Sequence, residues 1–100
     1  MHPSIASNIN EIKTLFKQNG VVSAYLFGSA TGTNHSAKSD FDFLVKFNPS
    51  LDYEMYANNY FNLLHGLQHI LKSEIDIVAE ETITNPYFAQ TINENKILLL

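Results

Sequence analysis

"LFGSATGTNHSAKSDFDFLV", residues 26–45, places an apolar run, a bare Gly-Ser, a polar stretch, and then two carboxylates inside the next apolar run. The run it belongs to, "VVSAYLF" at 21–27, is rich in β-branched and aromatic residues and stops at Gly28, so it predicts a strand buried on both faces. "DFDFLVKF" at 40–47 alternates, which puts Asp40 and Asp42 on one face of a second strand and Phe41 and Phe43 on the other. Residues 28–39, with Gly28, Gly32, Asn34, Ser36 and Ser39, predict a loop or a loop with one helical turn. A carboxylate inside an apolar strand is costly unless something cationic holds it, so the chemistry of this stretch turns on the missing cation.

Upstream, Ile5, Ile9, Ile12, Leu15 and Phe16 recur at helical spacing, with Ser4 or Ser7 available as caps and Gly20 as a stop. Downstream, Asn48 and Pro49 end the second strand, and the apolar set from Met55 to Leu71 predicts the longest helix, over about 51–72. Gly66 inside it reads as a local weakness of about 1 kcal/mol relative to Ala. "EIDIVA" at 74–79 predicts a third strand carrying Asp76, Pro86 starts a short helix reaching about Asn95, and "KILLL" at 96–100 closes the chain as an edge strand or docking tail. The order of elements predicts an α+β domain, a small mixed sheet with helices packed on it.

One hundred residues suit a single domain, 1–100, and 45% apolar with 16% charged residues places the chain among globular proteins. The absence of cysteine removes disulfides and thiolate metal sites and is expected of a reducing compartment, the cytoplasm. No stretch approaches the roughly 20 apolar residues of a membrane span, and "MHPSIASNINEIK" lacks the pattern of a secretory signal. A formal charge of -4 with six scattered basic residues argues against direct binding of nucleic acid.

Strands pack roughly 4.8 Å apart, so two of them can bring Asp40, Asp42 and Asp76 together. Such a cluster repels itself unless a hard divalent ion joins it. Mg²⁺ prefers carboxylate oxygens and keeps positions for water and phosphates, so the residues point to Mg²⁺ and a nucleoside triphosphate. Gly28 lets backbone approach a phosphate closely, Ser29 donates a hydroxyl, and a helical turn starting at 29–33 would add a favourable dipole.

These residues carry a family resemblance. "LFGSATGTNHSAKSDFDFLV" followed by "EIDIVAEETITNPYF" resembles the minimal nucleotidyltransferases of the polymerase-beta-like superfamily: apolar strand, Gly-Ser, a loop of about ten residues, Asp-x-Asp between apolar residues, and a later third carboxylate. The resemblance implies that Gly28 and Ser29 hold the terminal phosphates, with Lys38 and Ser39 in the nucleotide-binding set. It implies two Mg²⁺ ions on Asp40 and Asp42, with Asp76 completing the metal set and orienting or deprotonating the attacking hydroxyl. The implied reaction is in-line transfer of a nucleoside monophosphate, AMP from ATP, to a protein hydroxyl, with pyrophosphate leaving. The implied partner is a HEPN-domain toxin on a separate chain, to which this protein would be the antitoxin. One departure stands out: members commonly carry an Arg soon after Gly-Ser, whereas residues 28–39 contain none, and Lys38 is at most a partial substitute. The alternative is therefore a catalytically feeble module of the same fold that neutralises its partner by binding.

Other residues read more simply. His65 and His69 lie one helical turn apart without further ligands and read as a solvated pair, His35 as an exposed loop residue, and Glu80-Glu81 as a solvated strand exit. Tyr53, Tyr56, Tyr60 and Phe61 read as packing against the sheet rather than stacking a base.

Overall fold

The computed structural model describes residues 2–27, 40–87, 90 and 96–100. Its elements are α1 (Pro3–Ser7), α2 (Ile9–Gln18), β1 (Val21–Phe27), β2 (Phe41–Phe47), α3 (Tyr53–Leu71), β3 (Ile75–Ala79), a 3-10 turn (Glu80–Thr82) and β4 (Ile97–Leu98). The strands form one mixed sheet in the order β3-β2-β1-β4. β1 runs antiparallel to both β2 and β4, whereas β3 lies parallel to β2, with α3 in the crossover between them. The expected α+β architecture is present.

The helices cover one face of the sheet. Phe41, Phe43, Val45 and Phe47, at alternate positions of β2, are buried with Ala24 and Leu26 of β1 and Leu99 beyond β4. Ile12 and Phe16 from α2 and Leu63, Leu67 and Leu71 from α3, spaced by four, supply the opposing layer. The Phe16 and Phe43 rings meet edge to face, with centroids 6.0 Å apart. Asp52 caps α3, its Oδ1 accepting the Met55 N–H at 2.8 Å, and Lys72 ends the helix in the left-handed region at φ 50.

Four expectations need correction. The first helix is broken at Asn8, whose Nδ2 donates to the Ser4 carbonyl at 2.8 Å. Its N-cap is neither Ser4 nor Ser7 but His2, whose ring Nδ1 accepts the Ser4 N–H, with Pro3 in the first turn. β1 is not buried on both faces, because its register shifts between Val21 and Ser23 and Val22 turns outward. Gly66 is a point of close approach rather than a simple weakness: a Cβ there would stand 2.6 Å from Leu15 Cδ2, so α2 and α3 pack through it. The helix expected over 86–95 falls largely outside the described residues. Gly20 does end α2 in a conformation with φ +76, and the chain's end does pair as an edge strand.

Candidate active site

The second face of the sheet follows from the same alternation. With Phe41, Phe43 and Val45 turned to the helices, Asp42, Leu44 and Lys46 project to the other side, and Asp40 precedes them in the same phase. Asp42 pairs in register with Asp76 on β3 and with Phe27 on β1. The two carboxylates therefore leave adjacent strands side by side, about 4.8 Å apart at the backbone. Asp42 is only 3% exposed, whereas Asp76 is open to solvent. β1 ends at Phe27, directly beside this pair.

Asp40 is engaged differently. Its backbone N–H donates to the Glu74 carbonyl at 2.9 Å and its Oδ2 accepts the Glu74 N–H at 3.2 Å, which joins the starts of β2 and β3. Among the described residues, no three His, Cys, Asp or Glu side chains are gathered to hold a metal ion together. Asp42 and Asp76 form a pair; Asp40 stands one step up the strand with an oxygen committed to backbone. The pair nevertheless suits a hard cation, because it offers oxygen donors only, from side chains that lie side by side on adjacent strands. Gly28, Ser29, Lys38 and Ser39, together with His35, lie outside the described residues.

Tyr60 was not legible as a neighbour of this site. Its hydroxyl donates to the Ile77 carbonyl at 3.0 Å, securing the outer edge of β3 one residue beyond Asp76. Burial raises its pKa, and the negative charge of Asp76 raises it further, so the hydroxyl stays a donor. Seventeen residues separate Tyr60 from Ile77, and no local pattern announces the contact. Tyr56 also packs inward against Phe47, but Tyr53 is 90% and Phe61 55% exposed, so the aromatic group belongs to the core only in part. His65 and His69 are exposed, as expected. Glu81 is exposed but accepts the Tyr56 hydroxyl at 3.0 Å.

That last pair makes a prediction. Burial, followed by the hydrogen bond and charge of Glu81, pushes Tyr56 from 10.0 up to about 12. A folded-state pKa above the unfolded value stabilises the fold below pH 10 and loses that contribution as pH rises through 12. Denaturant midpoints should therefore fall between pH 10 and 12, and the fall should be smaller in Tyr56→Phe.

An open cleft of about 460 Å³ at the edge of α3 and β3, lined by Tyr53, Tyr56, Tyr60, Phe61 and Val78, includes none of the three aspartates. Phosphate chemistry needs charge-bearing groups, so the site is assigned to the carboxylate row and not to this apolar cleft.

A mixed four-stranded sheet with helices on one face and paired carboxylates on the other is the frame of a nucleotidyltransferase. The family model for polymerase beta nucleotidyltransferases matches residues 10–100, and the chain belongs to that family. It is 32% identical over 96 residues to "Putative protein adenylyltransferase MJ1379" of Methanocaldococcus jannaschii, an alignment covering 91% of this chain and 94% of that protein. A solved minimal nucleotidyltransferase superposes with a TM-score of 0.75 at 22% identity, covering 97% of this chain and 95% of the other. A chain from the complex of a tri-AMPylated Shewanella oneidensis HEPN toxin with MNT antitoxin superposes with a TM-score of 0.67 at 24% identity, covering 95% and 71%. The protein is a nucleotidyltransferase. No helix among the described residues is long and apolar enough to cross a membrane.

Proposed function

We propose that this enzyme transfers AMP from ATP, with Mg²⁺, to a hydroxyl of a partner protein, and that the partner is a HEPN-domain toxin. The observation that carries the reading is the in-register pair Asp42 and Asp76 beside the end of β1. The similarity to a protein adenylyltransferase and the likeness to a chain from a HEPN–MNT complex support it.

Asp42 and Asp76, which the fold brings together, would hold the metal, and Asp40 would have to turn toward them to complete the set. Bound there, Mg²⁺ would supply neutralising charge and Lewis acidity at the phosphoryl oxygens. The remaining tasks fall to the chain. Gly28 and Ser29, with Lys38 and Ser39, bind the terminal phosphates through backbone N–H groups, a hydroxyl and an ammonium. Asp76, exposed at the open side of the row, orients the acceptor hydroxyl and takes its proton. A bond forms between the acceptor oxygen and the α-phosphorus, the bond from that phosphorus to the bridging oxygen breaks, and pyrophosphate leaves. The rigid β2–β3 pairing, tied at its start by Asp40 and Glu74, keeps these groups in place.

The lack of Arg in residues 28–39 favours a second reading, a binding module that neutralises the partner without modifying it. Coexpression with a HEPN-domain protein separates the two. An AMP-sized increase in the partner's intact mass, lost when the purified reaction is run with a magnesium chelator, is the expected result. A stable complex whose partner carries no adduct would establish the binder instead.

A further inference from the structure

The carboxylate row does not end at Phe27. β4 pairs antiparallel with β1, Leu26 opposite Ile97 and Tyr25 opposite Leu98. Continued by one residue, this register sets Lys96 across from Phe27, and the row reads Lys96, Phe27, Asp42, Asp76 across all four strands. Alternation agrees on the face: Ile97 is opposite buried Leu26, so Lys96 projects with Phe27 and Asp42 to the side away from α2 and α3. Its Nζ lies over the ring of Tyr25, 4.1 Å from the centroid, on that same side.

We propose that Lys96 is a phosphate-binding residue of this site. The proposal rests on the carboxylate reading above. The chain contains no arginine at all, so any side-chain cation opposite a polyphosphate must be one of its six lysines. Among the described residues, Lys13 and Lys17 sit on α2 in the helix layer, and Lys72 caps α3. Lys46 shares the correct face but lies four residues along β2 from Asp42, about 13 Å away. Lys96 alone of these lies in the carboxylate row. Two strand spacings, roughly 10 Å, separate its backbone from that of Asp42, a gap that a lysine side chain and a diphosphate span together. The Tyr25 ring parks the ammonium at the edge of this gap by an interaction that a phosphate oxygen readily outcompetes.

The test titrates the full-length parent, Lys96→Met, Lys96→Arg and Asp42→Asn with ATP and with AMP in magnesium buffer by calorimetry. Lys96→Met should weaken ATP about tenfold while leaving AMP within twofold, and Lys96→Arg should bind ATP nearly as the parent does. Unchanged ATP affinity in Lys96→Met, with magnesium-dependent binding lost in Asp42→Asn, overturns the Lys96 assignment and leaves the carboxylate reading standing. Equal weakening of ATP and AMP overturns it too, since the contact would then not be to the terminal phosphates. If Asp42→Asn binds ATP as the parent does with and without magnesium, the carboxylate reading fails, and Lys96 loses its role with it. A readout in the unaltered protein guards against a misfolded variant: in lysine-labelled parent, the Lys96 side-chain resonances, shifted by the Tyr25 ring, should move on adding pyrophosphate with magnesium. No movement at saturating pyrophosphate overturns the proposal.

Discussion

Asp42→Asn should lower AMP transfer by at least about a thousandfold while leaving the protein as stable as the parent in the absence of metal. Asp42 is the buried member of the pair and the member flanked on both sides, by Asp76 and by Phe27. An amide there keeps the shape but removes the charge that would hold a cation against the phosphates. Metal-assisted charge stabilisation is worth several kcal/mol, and about 1.4 kcal/mol is a factor of ten in rate. Stability behaves differently, because the amide has nearly the shape of the carboxylate and fits the same buried position. Urea midpoints and single-turnover transfer, measured on the same preparation, check both halves. Transfer within tenfold of the parent would remove Asp42 from the chemistry.

Phe43→Ala should cost about 3–5 kcal/mol, a large share of the roughly 5–15 kcal/mol that domains of this kind carry in all. Phe43 lies at the middle of β2, an interior strand, is fully buried, and meets Phe16 edge to face. Its removal leaves a cavity between sheet and helix layer that neither can close, because β2 is held by pairing on both sides. Thermal melts of the variant should shift down by well over 10 °C, at about 4–8 °C per kcal/mol for a domain of this size. Phe61→Ala on the exposed side of α3 is the control and should leave the melting temperature nearly unchanged.

The two substitutions mark how far local sequence carried. The alternation Asp-Phe-Asp-Phe separates a chemical face from a core face, because successive strand residues point opposite ways whatever lies around them. Reading that period was enough to locate Asp40, Asp42, Phe41 and Phe43, and the spacing of Leu63, Leu67 and Leu71 located α3 in the same way. Where short-range rules failed, a distant partner had overruled them. Gly66 reads as a weak point in a helix until Leu15 of another helix fills the space above it. Tyr53 and Tyr60 look alike by spacing, yet one is solvated and the other bonds the carbonyl of Ile77. β1 has the composition of a strand covered on both sides, but Val22 turns outward at the register shift and is half exposed.

Which residue types could do chemistry was thus determined by the chain itself: carboxylates within apolar strands, and lysine in place of arginine. Which of them meet was decided by tertiary structure. Residues 27, 42 and 76 belong to three strands and Lys96 immediately precedes a fourth, so sharing one row is a matter of register. A slip of one residue in any pairing would turn Asp76 or Lys96 to the opposite face. Register is held by the burial of Leu26, Phe43 and Ile77 against the helices, a cooperative property of the packed core that no single segment contains.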